Sequence, residues 1–368
     1  MENQLKPTAS GAAKMPGQVV LVLQGGGALG AYQLGVYQAM SEAGIEPDWV
    51  IGTSIGALNG AIIAGNPPSR RVERLSQFWT LMEQHSTLYP GMPREFANAL
   101  TLTQGIPAFF ALNPATWWNP NAQVGVENAS FYRTGPLLKT LGMLVDFDYL
   151  NSSETRLTVG AVNARNGEMR YFDSKKEKLC VEHVVASGAI PPAFPAVKIN
   201  GEPYWDGGIY SNTPIEAVLD DEPRRSSVIF SVQVWNPDGK EPQSVLDVLE
   251  KHKEIQYASR ASNIEQQRRM HRLRHVIREL TLQLTPAQRA TPEVRELAGW
   301  GCGSTMHIVM LKAPRLDAED HTKDIDFTAA GIRHRWQAGY EDTKRAFATQ
   351  PWNAPVDPIE GVAIHEHF

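Results

Sequence analysis

The sequence predicts an α/β protein built on a central, mostly parallel sheet, and three local patterns carry that prediction. Residues 18–24 (QVVLVLQ) are a short β-branched and leucine run cut off by Gly25, Gly26 and Gly27, the pattern of a strand buried on both faces. Residues 28–43 follow with Leu29, Tyr32, Val36, Tyr37 and Met40 at roughly helical spacing, and Gly44 stands where a helix end takes a left-handed residue. Strand, turn and helix then repeat at once in residues 49–51, the turn 52–56 and the small-residue stretch 55–64. Two such units in succession imply parallel strands joined by right-handed crossovers.

The remaining elements follow in order. A helix is expected over 71–83, and Asn66-Pro67-Pro68 ends the one before it. Residues 88–123 are rich in proline and aromatics, with Phe109, Phe110, Trp117 and Trp118 and few charges, and read as a cap-like insertion. Strands at 156–162 and 168–172 flank an Asn166-Gly167 turn, and 197–205 folds about Asn200-Gly201, both hairpin signatures. A helix starting at 181–187 is stopped by Pro191 and Pro192, and 228–234 (VIFSVQV) is a further core strand. Beyond it lies a mainly helical C-terminal region (235–368). It holds a long helical stretch at 244–284 with a basic polar face, one strand at 305–311, a helix at 328–347 and an irregular tail from 351. The expected organisation is a disordered leader (1–17), a main domain (18–234) carrying the cap, and that C-terminal region.

Composition excludes several classes. The 368 residues are 42% hydrophobic and 20% charged, ordinary globular usage. A formal charge of −5, from 35 basic against 40 acidic residues, argues against nucleic acid as a partner. Cys180 and Cys302 are the only cysteines and offer no zinc spacing, so no metal, cofactor or disulfide framework is expected. The leader lacks the apolar core of a signal peptide, and no apolar run reaches the roughly 18 residues of a membrane span. These features point to a cytoplasmic protein whose membrane contact is peripheral.

Candidate chemistry begins at Gly52-Thr53-Ser54-Ile55-Gly56, a GxSxG pattern on a strand-to-helix turn. A nucleophile elbow needs small neighbours because the turn is sharp and the following helix comes close, and Ala57, Gly60, Ala61 and Ala64 are small. The plainer reading is a helix-capping serine. Gly25-Gly26-Gly27-Ala28-Leu29-Gly30 offers unobstructed N–H groups at a helix N-terminus. In a parallel sheet both turns open at the C-terminal strand edge, where such folds place their sites. Gly25, Gly27 and Gly30 also match the dinucleotide fingerprint, but that site wants an acid at the end of the second strand, and Asp48 lies at its start. Asp206, before Gly207 and Gly208, is the candidate base, since its apolar approach (189–197) would raise its basicity.

Together these segments resemble the patatin-like phospholipase family: GGGALG its oxyanion loop, GTSIG its elbow, Ala186-Ser187-Gly188-Ala189-Ile190-Pro191-Pro192-Ala193-Phe194-Pro195 its Pro/Phe segment, and Asp206-Gly207-Gly208 its DG[GA] motif. The resemblance spans roughly residues 19–234. It implies a three-layer αβα fold, 18–234 as the catalytic domain, and a lipid acyl hydrolase of phospholipase A type. It also implies Ser54 as nucleophile, Asp206 as proton acceptor and the N–H groups of Gly25, Gly26 and Gly27 as oxyanion donors. Gly30, Gly52, Gly56, Gly207 and Gly208 complete the motifs. Leu29 departs from the family's usual Arg or Lys at that loop position, which puts the loop's anchoring in question. The partners implied are phospholipid or another acyl-ester lipid, with contact to a membrane or lipid granule through the aromatic cap or the basic helix. Because it also carries Glu250, Glu254, Glu265 and Glu279, that helix better suits solvent or self-association. Two alternatives stand beside this reading: an α/β-hydrolase with a Ser-Asp-His triad using His307 or His321, and a catalytically weak lipid-surface or storage-granule binding protein.

Overall fold

The computed structural model describes residues 15–83, 94–239, 241–258, 263–316, 319–357 and 359–366. Most of the expected leader (1–14) and the start of the cap-like segment (88–93) lie outside the described residues. In chain order the strands are β1 (Gln18–Leu23), β2 (Trp49–Gly52), β3 (Ala111–Leu112), β4 (Tyr132–Arg133), β5 (Arg156–Asn163) and β6 (Met169–Asp173). They continue as β7 (Val197–Ile199), β8 (Glu202–Asp206), β9 (Ser227–Gln233), β10 (Met306–Lys312) and β11 (Val362–His365).

β11, β10, β9, β1, β2 and β5 lie side by side and parallel. β8 and β7 extend the sheet beyond β5 in antiparallel fashion, and β6 also pairs with β5. The central strands β1, β2 and β9 are buried along almost their whole length, which is why they read as continuous apolar runs rather than alternating ones. Both expected hairpins are present: Asn200 and Gly201 take positive φ in the geometry two-residue hairpin turns require, and Gly167 takes positive φ in the longer turn between β5 and β6.

Helices cover the sheet on both sides. Among them, α1 (Ala31–Glu42) leaves the glycine loop and α2 (Ile55–Ala64) leaves the elbow, buried on every face. The helix Ala329–Thr349 lies against α1 so closely that a Cβ on Gly35 would strike the Trp336 carbonyl, and one on Gly339 the Tyr32 carbonyl. Hydrogen bonds flank the crossing: Tyr32 Oη donates to Asp342 and Trp336 Nε1 to Gln38, both at 2.7 Å. No described helix is long and apolar enough to cross a membrane.

Two differences from the sequence reading concern the later chain. The tail expected to be irregular supplies β11, four residues pairing with β10; so short a strand at a sheet edge leaves almost no periodic signal. The aromatic segment divides. Phe109 and Phe110 are buried against Phe194 at ring distances of 5.8 and 5.3 Å, whereas Trp118 is 89% exposed.

Because α1 and Ala329–Thr349 touch backbone to backbone, Gly35→Val and Gly339→Val should each overpack the crossing. Urea or thermal denaturation is expected to show losses of at least about 1–3 kcal/mol in one cooperative transition.

Candidate active site

β1 and β2 end side by side, so the glycine loop and the GxSxG turn open next to each other at the C-terminal edge of the sheet. Ser54 sits between β2 and α2 with φ 55° and ψ −127°, a strained conformation for a residue with a side chain. Its N–H donates to the carbonyl and hydroxyl oxygens of Ser187, both at 3.1 Å. Gly52 ends β2, and Gly56 begins the helix so close to β1 that a Cβ there would meet the Leu23 carbonyl. Although Ser54 occupies the cap position of α2, its side chain makes no capping hydrogen bond; it interacts instead with the Asp206 carboxylate, whose ionised form it favours. The helix-cap reading therefore does not describe this serine.

Asp206 ends β8 and is 1% exposed. Its Oδ1 accepts from the Gly208 N–H at 2.7 Å in the short turn that Gly207 opens. Burial pushes this carboxyl up to about 7, against the opposing hydrogen bonds from Ser54 and Gly208. A carboxylate so placed titrates where a general base is most effective.

The glycine loop departs from the sequence expectation in one donor. The Gly25 N–H donates to the Asn212 carbonyl (3.2 Å), and its own carbonyl accepts from Asn212 Nδ2 (3.0 Å) and Trp235 Nε1 (2.9 Å). Gly25 is thus held as structure, which leaves the N–H groups of Gly26 and Gly27 as the free candidates. Gly27 has φ +55°, open to glycine at little cost. Gly30 lies beneath, against Ile55. Leu29 is buried in the core, an apolar side chain packing at the loop position noted for its lack of a cation.

The catalytic candidates line one open cavity of about 180 Å³. Ser54, Asp206, Gly26 and Gly27 stand on one wall; Leu58, Leu102, Phe109, Phe110, Ile190 and Phe194 make much of the rest apolar. Among the described lining residues there is no histidine, lysine or arginine. His307 lies on β10, with Nδ1 3.2 Å from His365 Nε2, and His321 is likewise absent from the lining. Asp48, the residue considered for a ribose, accepts from the Val19 N–H at 2.8 Å at the opposite strand end. Among the described residues no group of three or more His, Cys, Asp or Glu is placed to hold a metal ion.

The sequence reading missed the supporting residues. Gln24, fully buried, accepts from the N–H groups of Val234 (2.6 Å) and Trp235 (2.9 Å) and donates to Thr213 Oγ1 (2.8 Å) and the Tyr257 carbonyl (3.2 Å). The available signal was a polar residue closing an otherwise apolar strand. Trp235, Tyr257, Asp324, Ile325 and Phe327, all from the C-terminal part of the chain, also line the cavity.

Compared with known proteins, residues 21–219 match the family described as Patatin-like phospholipase, and residues 255–359 match one described as Patatin phospholipase. Lysophospholipase NTE1 of Kluyveromyces lactis is 25% identical over 240 residues, 65% of this chain and 14% of that protein. The Saccharomyces cerevisiae protein of the same name is 26% identical over 237 residues, 64% of this chain and 12% of its own length. The chain therefore corresponds to only a small part of these relatives. Among solved structures, VipD from Legionella pneumophila is 16% identical with a TM-score of 0.39, covering 90% of this chain and 67% of that one.

Since burial disfavours the ionised Asp206, stability is greatest with the carboxyl protonated, below its ordinary value of 3.8, and declines as pH rises through about 7. Asp206→Asn should therefore melt above wild type at pH 8, with the difference shrinking by pH 5, as measured by calorimetry at both values.

Proposed function

The chain belongs to the patatin-like phospholipase family, and from that premise we propose that it hydrolyses lipid acyl esters, in phospholipase A fashion, through a Ser54-Asp206 dyad. Ser54 Oγ attacks the ester carbonyl while Asp206 takes its proton. The N–H groups of Gly26 and Gly27 hold the oxygen that becomes negative. Collapse of this intermediate breaks the acyl–oxygen bond, and the proton passes from Asp206 to the leaving alcohol. Water then repeats the sequence on the acyl-enzyme, with Asp206 again accepting a proton, and releases the fatty acid and free Ser54.

The observation that carries this reading is a strained, uncapped serine interacting with a buried carboxylate lifted to about 7. A serine at its free pKa is a poor nucleophile and needs such a base beside it. The absence of histidine among the described lining residues supports a dyad over a triad, and the apolar walls suit an acyl chain. The catalytic reading thereby takes in the C-terminal part of the chain, which lines the same cavity.

The proposed partner is a lipid surface met through the aromatic rim. Residues 96–126 hold no charged side chain, and Phe96, Trp117 and Trp118 are exposed there while Leu102 reaches the cavity. Indole rings favour the boundary between apolar chains and water.

Fluorophosphonate should label wild type but neither Ser54→Ala nor Asp206→Ala, with circular dichroism showing all three folded. A folded, unlabelled wild type would favour the lipid-surface binding alternative instead. For wild type, kcat/KM on a soluble ester should climb with pH to a half-maximal value near pH 7, as Asp206 loses its proton. Trp118→Ala with Phe96→Ala should slow turnover on phosphatidylcholine vesicles severalfold and leave p-nitrophenyl butyrate hydrolysis unchanged.

A further inference from the structure

The three glycines are held from a part of the chain far away in sequence. A Cβ on Gly27 would collide with the Asp324 carbonyl, and one on Gly26 would lie 2.6 Å from Val234 Cγ2 and 3.2 Å from Trp235 Nε1. Trp235 Nε1 donates to the Gly25 carbonyl at 2.9 Å, and the Trp235 ring stacks on Tyr257 with centroids 5.1 Å apart. The Tyr257 carbonyl accepts from both Gln24 Nε2 and Asn212 Nδ2 at 3.2 Å, the two side chains that bracket the start of the loop.

This support is itself clamped by charge. Lys323 is buried between Glu250, at 3.1 Å, and Glu254 of the helix Val245–Ala258. From the same helix Lys253 reaches both Asp324 carboxylate oxygens, at 2.9 and 3.0 Å. The short turn Lys323–Ile325 is therefore pinned to this helix on one side and touches Gly27 on the other. The loop has no cation of its own, because Leu29 occupies that place in the core.

We propose that Trp235 and the Lys253–Asp324 pair are positioning residues for the oxyanion hole, so that the chain beyond residue 234 is part of the catalytic apparatus and sets where the Gly26 and Gly27 N–H groups point. This rests on the serine-hydrolase reading above. Such residues act on the transition state rather than on substrate capture, since oxyanion donors make their full bonds only to the tetrahedral oxygen.

The test uses the full chain with Trp235→Phe, which keeps an aromatic ring but loses the Nε1 donor, and Lys253→Met, which frees Asp324. The second pair is partly exposed, so the fold should survive its loss. On p-nitrophenyl butyrate, kcat is expected to fall roughly tenfold to a hundredfold, with KM held within about threefold. The inhibition constant of an alkyl trifluoromethyl ketone, which mimics the oxyanion, should rise by the same factor as kcat falls. Circular dichroism should stay as in wild type. If kcat stays within about twofold of wild type in a folded variant, or if the loss lies in KM while the ketone binds as before, the positioning role is overturned. Turnover by Ser54→Ala overturns the serine reading itself, and the oxyanion role with it.

Discussion

A carboxylate removed from water without a cation beside it is the constraint around which the site is organised. Asp206 is buried, its carboxylate accepts from the Gly208 N–H and interacts with Ser54, and no lysine or arginine is among the described residues lining its cavity. A salt bridge would stabilise the anion and make it a weaker base. Burial does the reverse and brings its titration to about 7. The cost falls on the folded state, which must hold an unfavourable charge whenever the site is ready for proton transfer. The extensively packed sheet around it, with β1, β2 and β9 almost wholly buried, tolerates that cost.

The same packing holds Ser54 in its strained conformation. α2 is buried on all sides, and the Ser54 N–H is held by Ser187 in the segment leading to the Pro/Phe stretch. That stretch also carries Phe194, which packs on Phe109 and Phe110. The elbow, the apolar wall and the aromatic segment are thus one packed body, and its exposed edge presents Trp118 to solvent. Beside the elbow stands the glycine loop, pressed between it and the turn Lys323–Ile325. Interiors are close-packed and shift little without cost, so the position of one wall depends on the other.

Much of the fold was legible locally. Apolar runs closed by glycines marked β1 and β2, Asn166-Gly167 and Asn200-Gly201 marked the hairpins, and small residues after Ser54 marked the tight helix. Each of these signals lies within a dozen neighbouring residues, where steric rules act directly. The edge strand β11 was missed because four residues carry no period. Phe109 and Trp118 looked alike in sequence and ended in opposite environments, since burial is decided by what arrives from elsewhere, here Phe194 and Phe327.

By itself the sequence determined which backbones could approach one another. Glycines at 27 and 56 permit contacts that any Cβ would block, and Ser54 between Gly52 and Gly56 could occupy a sharp turn. Only the tertiary structure decided that Asp206 meets Ser54, that Gly25 turns its N–H to Asn212, and that Trp235, Tyr257 and Asp324 reach the glycine loop. The physical reason is range. Steric permission is a property of neighbouring residues, whereas burial, charge titration and hydrogen-bond partnership depend on segments that meet only when the whole sheet has formed.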